Sequence, residues 1–401
     1  MNSRILELAD TIRELDVSSK NAERKKKWIA HNNLQSDGEI LINVHFWKNV
    51  INPLWRELVP DSEIVSKTED EIFLERTLLQ RIYKFTKIDD DDVMQPTVWV
   101  NPVMSEKSSM FGVDELAAHD GVSIKYTSVI QNIEDVSKFK QPVFDIDEQK
   151  TETKIQHMRE LVGDKIPIKV KMPMLHANPF EFAAKFRSMD DLYLDFIDNP
   201  ELVHALMDTF TKMIIRRFTE LDGIGYDPEQ TWDFRIHHDR IEDETKRNTL
   251  KNCWVYVSDQ SACVISPDMF SEFIIAYHKR ITKLFGKVYF HGCEDLTQKA
   301  QYIKELPNLR RFHISPWSDI GKITAELGSG FVYEAHVHPA NHLFAYSHEQ
   351  IASDIKRICG QYKSNNATFD LNLSDLETIN NEPQKLIDWA KIAREAISGL
   401  H

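Results

Sequence analysis

The second half of the chain alternates between strand patterns and helix patterns, and this alternation limits the possible folds more than any other feature. From about residue 250 onward, short runs of apolar, aromatic and β-branched residues predict buried strands. Between them lie stretches with apolar residues at helical spacing, joined by short links. The predicted strands of this half are Trp254–Val257, the run that begins at Lys287, Arg310–Ile314, Phe331–His338 and Ala367–Leu371. Such a pattern is typical of parallel strands connected by crossover helices.

Three earlier strand patterns extend this arrangement toward the N-terminus. They are Glu39–Phe46, Thr97–Val100 and Ile166–Met172. Roughly eight strands over most of 401 residues predict a (β/α)8 TIM barrel at residues 36–401, preceded by an N-terminal helical extension at residues 1–35. A doubly wound sheet is the alternative. No Gly-x-Gly-x-x-Gly motif follows a strand and no P-loop is present, so the sequence does not support nucleotide chemistry.

The remaining patterns predict helices, loops and insertions. Residues 101–165 show no clear periodicity and are expected to form insertions and loops, with a flap over a site as one interpretation. The predicted helices are residues 1–30, Pro53–Leu58, Glu71–Phe85, Met189–Arg217, Pro267–Phe285, Leu296–Leu306, Ser318–Leu327 with Ser318 as its cap, His348–Tyr362 and Pro383–Leu400.

Composition excludes several classes of protein. The net charge of −14 argues against a generic nucleic-acid surface, which would be basic. No apolar run approaches the length of a membrane span, and the N-terminus lacks a signal-peptide core. We therefore expect a cytoplasmic protein with no nucleic-acid or membrane partner. The four cysteines show no spacing typical of a disulfide framework.

The segment that begins at Lys287 carries the strongest chemical signal. Side chains alternate along a strand, so Tyr289, His291 and Cys293 are expected on one face. An imidazole and a thiol two residues apart at a strand end can bind one metal ion, and zinc accepts both donors. The alternative is a buried His and a buried Cys without a metal.

Two other strand ends carry candidate functional groups. In a barrel, active-site residues lie at the C-terminal ends of the strands. Glu334, His336 and His338 are expected on one face, and each is a candidate third zinc ligand. Asp259 follows another strand and is a candidate for orienting a substrate or a ligand His, or else for a structural hydrogen bond.

Two other sequence patterns are only weak signals for a metal site. His237 and His238 are adjacent, so their side chains point apart on a helix or a strand. The four carboxylates of Asp89–Asp92 have no turn glycine that would organise an ion-binding loop, so a plain connection is favoured over a divalent-ion site.

Taken together, these stretches resemble the uroporphyrinogen decarboxylase superfamily, and within it the corrinoid-dependent methyltransferase-like members. The resemblance is carried by Met189–Leu206, by Ser258-Asp259 with Ile265–Phe273, and by Phe290-His-Gly-Cys-Glu294. It implies a TIM barrel and a zinc ion held by the His and Cys of His-x-Cys, here His291 and Cys293, with a third ligand on a later strand. The third position falls at Glu334, where this sequence has no Cys, so Glu334 or His336 is expected to replace it.

The resemblance implies a zinc-dependent methyltransferase that moves a methyl group between a corrinoid and a small methylated substrate or a thiol or folate acceptor. The corrinoid, as methylcobalamin, is expected on a separate corrinoid protein, and a homodimer is compatible with the sequence. Glu294 is a candidate proton donor, and Asp259 a candidate catalytic residue. The alternative is a decarboxylase-like lyase that acts on a carboxylated substrate without metal, although Asn43–Val50 lacks the arginines that a polyanionic substrate requires. A binding protein that has lost its chemistry is the third class.

Overall fold

A six-stranded parallel sheet is the largest element of the structure, a computed structural model that describes residues 3–45, 53–119, 124–223 and 249–400. The spatial order of its strands is β1-β10-β9-β8-β7-β6. A second, parallel pair joins β2 to β5, and β3 and β4 form an antiparallel hairpin. The strands are β1 (Ile42–Val44), β2 (Val98–Val100), β3 (Leu116–His119), β4 (Ile124–Thr127), β5 (Ile168–Val170), β6 (Trp254–Val257), β7 (Lys287–Phe290), β8 (Leu309–Ile314), β9 (Val332–His336) and β10 (Thr368–Leu373).

Each predicted strand pattern overlaps a strand of the structure, and the strands of the two parallel sheets come from these patterns. The mixed α/β fold with parallel strands is therefore confirmed. Pairing among the described residues gives one sheet of six strands and one of two, without the hydrogen bonds that would close a ring. The eight-stranded barrel is neither confirmed nor excluded by these pairings. The pair His237-His238 lies outside the described residues.

Helices follow most of the strands, as the alternation predicts. They are α1 (Ser3–Asp16), α2 (Ser19–Asn32), α3 (Pro53–Leu58), α4 (Glu69–Lys87), α5 (Glu148–Val162), α6 (Pro179–Phe186), α7 (Met189–Asp198), α8 (Pro200–Leu221), α9 (Pro267–Phe270), α10 (Ala276–Thr282), α11 (Ala300–Ile303), α12 (Ile320–Leu327), α13 (His348–Ser364) and α14 (Gln384–Ser398). A π-helical turn links α9 to α10. None of the helices in the described ranges has the length and apolarity that a bilayer span requires.

Several boundaries differ from the prediction for local reasons. The helix predicted at Leu296–Leu306 is confined to α11, because the Asp295 side chain accepts from the backbone N–H of Thr297 and holds a turn there. Asp319, not Ser318, caps α12. The Ser318 hydroxyl instead accepts from the backbone of Leu296. Residues 101–165 hold the hairpin and α5, which the sequence analysis did not predict.

The two faces of the six-stranded sheet differ sharply in chemistry. One face contributes alternate apolar residues to the main hydrophobic core, where they pack with the surrounding helices. The positions on the other face are buried or, for Tyr256, Lys287 and Thr368, half-buried, yet most of them are polar. Its polar and aromatic residues are Trp254, Tyr256, Lys287, Tyr289, Arg311, His313, Glu334, His336, Thr368, Asp370, Asn372 and Asn43, and Leu309 and Val332 complete it. We call this second set the polar face. Because buried polar groups need partners, its contacts determine how the strands can be arranged.

A second hydrophobic cluster lies around the two-stranded sheet. It combines apolar residues of α1, α4 and α5 with those of β2 and β5, for example Ile12, Leu78, Met158 and Val98. The first helix of the predicted N-terminal extension therefore packs into the α/β fold.

The acidic stretch before β2 completes the edge of the large sheet. Asp91 Oδ2 accepts from the backbone N–H of Ile42 at 2.8 Å, and Asp90 Oδ2 accepts from that of Val44 at 2.8 Å. Both carboxylates are buried, and each also meets a cation, Lys84 for Asp90 and Arg394 for Asp91. The connection Asp89–Asp92 therefore has a structural role, since two of its carboxylates accept hydrogen bonds from backbone N–H groups of the edge strand β1.

The loop after β9 is fixed by a buried histidine. His342 Nδ1 accepts from the indole N–H of Trp389 at 2.9 Å, and Nε2 lies 3.0 Å from Asp354. The indole N–H can only donate, so Nδ1 must be unprotonated in this arrangement. Burial lowers the pKa of His342 below its ordinary value, although Asp354 acts in the opposite direction.

We predict that Asp90→Ala lowers the free energy of unfolding by about 3 kcal/mol or more, because it leaves the buried Lys84 ammonium without its carboxylate and exposes an unmet N–H on β1. Asp89→Ala, at an exposed neighbour, is the matched control and should change it by less than about 0.5 kcal/mol. Urea unfolding of both variants measures the difference. Equal effects would contradict the assigned role of Asp90.

We predict that His342 makes stability fall as the pH drops below its ordinary pKa of 6.5. The unfolded chain then takes up a proton that the folded state, with its lowered pKa, does not, so stability is present at neutral pH and decreases on acidification by at most about 1.4 kcal/mol per pH unit. Unfolding free energies between pH 7.5 and 5 test this. The free energy of unfolding of His342→Gln should depend less steeply on pH than that of wild type. An unchanged dependence would contradict the role assigned to His342.

Candidate metal centre

The strand register brings histidines and carboxylates of neighbouring strands side by side. On β8 and β9, His313 is opposite Glu334, and on β9 and β10, Glu334 is opposite Asp370. Phe290, the last residue of β7, is opposite Phe312, so His291 begins the loop beside His313. The imidazoles of His291 and His313 stack with their centroids 4.2 Å apart. This juxtaposition depends on pairing between strands.

Hydrogen bonds fix the tautomer of His291. The Tyr289 hydroxyl donates to Glu334 Oε1 at 2.8 Å, so at 3.0 Å it accepts the proton of His291 Nδ1. The lone pair of His291 is then on Nε2, which lies 3.1 Å from Cys293 Sγ. An imidazole whose other nitrogen donates to an oxygen is the usual arrangement of a metal-binding histidine.

His313 has the same arrangement. Its Nδ1 lies 2.5 Å from the backbone carbonyl of Gly292, which can only accept, so Nδ1 carries the proton. Its Nε2 is buried and has no hydrogen-bond partner within the described ranges. Burial, then the neighbouring His336 and His291, lower the pKa of His313 well below its ordinary value. The ring is therefore neutral and presents an unused lone pair, which is what a metal ligand requires.

Glu334 is held on both of its oxygens. Its Oε1 accepts from Tyr289 and lies 2.6 Å from His336 Nε2, while Oε2 accepts from Arg311 at 3.0 Å. Arg311 also donates to Asp370 at 3.0 Å, and all three charged groups are excluded from solvent. The carboxylate is thus fixed in orientation, with Oε1 directed toward the histidines.

His291, His313 and Glu334 form a group that fits a metal ion. One donor atom from each lies within 4.8 Å of the others. Around tetrahedral zinc, donors at about 2.1 Å from the ion are about 3.4 Å apart, so a closing of at most about 1.4 Å would suffice. The orphaned, buried Nε2 of His313 is the observation that favours an ion, because a buried nitrogen without a partner is otherwise costly.

Cys293 lies beside this group and is half-buried. Burial raises the pKa of its thiol to about 12, and the carboxylates of Asp375 and Glu294 act in the same direction, whereas a hydrogen bond from Gln260 opposes them. Without a cation, the sulfur is therefore protonated at neutral pH. The predicted pair of His291 and Cys293 is brought together at hydrogen-bond distance.

Glu294 is close to Cys293 and has an unusual environment. Burial raises the pKa of its carboxyl group, and the nearby carboxylates of Glu181 and Asp259 add to this effect. Its Oε2 has no hydrogen-bond partner among the residues described. Gly292 makes this position possible, since a Cβ there would lie 2.8 Å from Glu294 Oε2. A carboxyl whose pKa is raised is better suited to proton donation than an ordinary glutamate.

Asp259 lies in a different set of contacts. Its Oδ1 accepts from the backbone N–H groups of Phe180 and Glu181 at the start of α6, and its Oδ2 lies 2.5 Å from His278 Nε2. Burial raises the pKa of Asp259 to about 6, while His278 acts in the opposite direction. These bonds anchor α6, and the catalytic role of Asp259 stays a prediction. His338 lies with its ring 4.9 Å from the exposed Trp317.

His313, Arg311 and Asp370 were not among the residues predicted from the sequence. A signal was present, since Arg311 and His313 alternate on β8 as Tyr289 and His291 do from β7 onward. Pairing of strands, which the sequence does not state, is needed to place His313 beside His291.

Comparison with known protein families finds a match over the part of the chain that holds the candidate centre. The family model of uroporphyrinogen decarboxylase (URO-D) matches residues 252–385, which include β6–β10 and all residues of the candidate centre. The predicted resemblance to this superfamily is thereby confirmed for that stretch. Among solved structures, a methyltransferase from Methanosarcina mazei is similar at 14% identity and a TM-score of 0.39, covering 61% of this chain. The chain spans 63% of the length of that protein. No curated protein matches the sequence.

We predict that substitution of two glutamates of this region affects the free energy of unfolding to very different extents. Glu334→Gln should lower the free energy of unfolding by about 2–3 kcal/mol, because Arg311 loses a buried charged partner. Glu294→Gln should change it by less than about 0.5 kcal/mol, since its Oε2 makes no hydrogen bond to lose. Chemical denaturation of the metal-free proteins measures both. A Glu294→Gln loss as large as that of Glu334→Gln would contradict this assignment.

Proposed function

We propose, from the URO-D resemblance of residues 252–385 and from the geometry of the candidate centre, that this chain is a zinc-dependent methyltransferase of a corrinoid system. The observation that carries the proposal is the group of His291, His313 and Glu334 with Cys293 beside it. Nitrogen, sulfur and carboxylate donors are those that zinc prefers, and three protein ligands leave one position open for a substrate.

In this proposal His291 and Cys293 bind the ion, and the third ligand is Glu334 or His313, whose buried Nε2 has no other partner among the residues described. His336 donates to Glu334 Oε1 and Arg311 holds Oε2, so both orient the carboxylate. Zinc at this point supplies a Lewis acid, which lowers the pKa of an acceptor thiol or makes the heteroatom of a methylated substrate a better leaving group.

Side chains of this protein would then act on the substrate and transfer the proton. The raised pKa of Glu294 favours the protonated form of its carboxyl, which would protonate the departing heteroatom of a methoxy or methylamine substrate. The methyl group would be exchanged with a corrinoid carried by a separate protein. The cytoplasmic location, the corrinoid partner and a homodimer remain parts of this proposal.

A (β/α)8 barrel is the architecture that we propose for the site. The parallel strands β1, β2 and β5–β10 number eight in chain order, with breaks in pairing between β1 and β2 and between β5 and β6. Side chains bridge both breaks. Asp90 and Asp91 bond to β1 from just before β2, and Asn178, which follows β5, accepts from the backbone of Ser258 after β6. The polar face would then line the interior, with the candidate centre at the C-terminal strand ends.

A metal-free lyase is the second candidate, because the matching family model is that of a decarboxylase. It requires activity that is independent of zinc and of Cys293. The surroundings of Cys293 do not favour it, since three carboxylates act on the thiol and would repel a polyanionic substrate.

Metal analysis and methyl transfer test the proposal together. We expect about one zinc per chain in protein purified without chelator, and loss of zinc in His291→Ala and Cys293→Ala. Glu334→Ala and His313→Ala distinguish the third ligand. Methyl transfer is followed by the absorbance of free methylcobalamin with a thiol acceptor, and of reduced cobalamin with methanol or methylamine.

Zinc-loaded wild type should transfer methyl groups in one of these two assays, and Cys293→Ala should not. Cys263→Ala, at an exposed cysteine, is the matched control and should retain zinc and activity. A wild type that binds no zinc after reconstitution would refute the zinc mechanism and favour the lyase.

A further inference from the structure

Helix α2 is connected to the candidate centre by a continuous series of buried polar contacts. His31 Nε2 lies 3.0 Å from Asp370 Oδ2, and Asn32 Oδ1 accepts from Arg311 Nη1 at 3.0 Å. Arg311 Nη2 in turn donates to Asp370 and to Glu334. All five side chains are fully buried. The series therefore runs from the N-terminal helix to a proposed metal ligand without passing through solvent.

The charges explain why His31 matters to Glu334. Two buried carboxylates, Asp370 and Glu334, share one guanidinium. Burial raises the pKa of Asp370, but Arg311 and His31 together lower it by more than burial raises it, so the pKa lies below its ordinary value. Asp370 is satisfied by His31 and Asn372 as well as by Arg311. Removing the His31 donor would shift Arg311 toward Asp370 and weaken its hold on Glu334 Oε2.

We propose that His31 is a positioning residue of the metal centre, acting on Glu334 through Asp370 and Arg311. Residues 1–35 would then be part of the functional site, rather than an extension beside it. The inference rests on the proposed function, because it requires Glu334 to bind the metal.

Helix α2 has other anchors, so replacement of His31 can leave the helix in place. The indole N–H of Trp28 donates to the carbonyl of Asp91 at 2.8 Å, and Arg24 donates to that of Asp92 at 2.7 Å. Both contacts reach the segment before β2. Arg24 is buried on the same helix yet outside the series, which makes Arg24→Gln a matched control.

The test measures metal affinity and coordination rather than turnover. Zinc affinity is determined by competition with a chromophoric chelator, and the visible spectrum of the Co²⁺-substituted protein reports the ligand field. His31→Gln should bind zinc about tenfold more weakly and change the Co²⁺ spectrum, as loss of a group that orients a ligand does. Arg24→Gln should match wild type in both measurements.

A double-mutant cycle separates positioning from general loosening. If His31 acts through Glu334, then His31→Gln adds almost nothing to the loss of zinc affinity caused by Glu334→Gln. Fully additive losses would overturn the proposal, as would wild-type affinity and spectrum in His31→Gln. If His31→Gln does not fold, Asn32→Ala makes the same test at Arg311.

Failure of this inference is distinguishable from failure of the proposed function. Wild type that binds zinc, with His31→Gln or Asn32→Ala indistinguishable from it, overturns the positioning role alone. Wild type that binds neither zinc nor Co²⁺ overturns both.

Discussion

The bond from Arg311 to Glu334 and Asp370 is the interaction on which the polar face depends. Three charges lie on neighbouring strands with no access to solvent. An isolated charge there would cost several kcal/mol, so each strand can take its place only when the other two are in register. The apolar face of the same strands specifies burial, but it does not specify which residue lies opposite which. The ionic contacts therefore fix the pairing that also brings His313 beside His291.

The need of buried polar groups for partners also explains the contacts at the two edges of the sheet. A strand at the end of a sheet presents N–H groups that must find acceptors. At β1 the acceptors are the carboxylates of Asp90 and Asp91, and beyond β6 the side chain of Asn178 accepts from Ser258. Side chains thus take over where backbone pairing stops. The acidic stretch Asp89–Asp92, which resembles an ion site in sequence, serves this purpose for two of its four residues.

Local patterns predicted the elements better than they predicted the site. Trp254–Val257 matches the structure at both ends, and the helix predicted around Pro53–Leu58 is found there, because burial and helical periodicity are properties of adjacent residues. The hairpin β3–β4 is exposed on both faces, so no alternation identified it. His291 and Cys293 were recognisable because they follow one strand pattern, and Glu334 because it lies within another. Arg311 and His313 required the register between β7, β8 and β9, and His31 required a contact across more than three hundred residues.

The charge around the candidate centre bears on the kind of substrate that it can accept. On the polar face, two carboxylates meet one guanidinium, and around the Cys293 thiol the acting charges are the carboxylates of Asp375, Glu294 and Glu334. The nearby Lys299 uses its ammonium group on the backbone carbonyls of Ala262 and Cys263, and burial lowers its pKa. Such surroundings attract a cation and disfavour an anion. A divalent ion bound next to Glu334 would relieve the excess of negative charge and would also lower the raised pKa of the thiol, so one ligand would resolve both features. A polycarboxylate substrate would add to the excess instead, so the charges around the site disfavour a substrate of that kind.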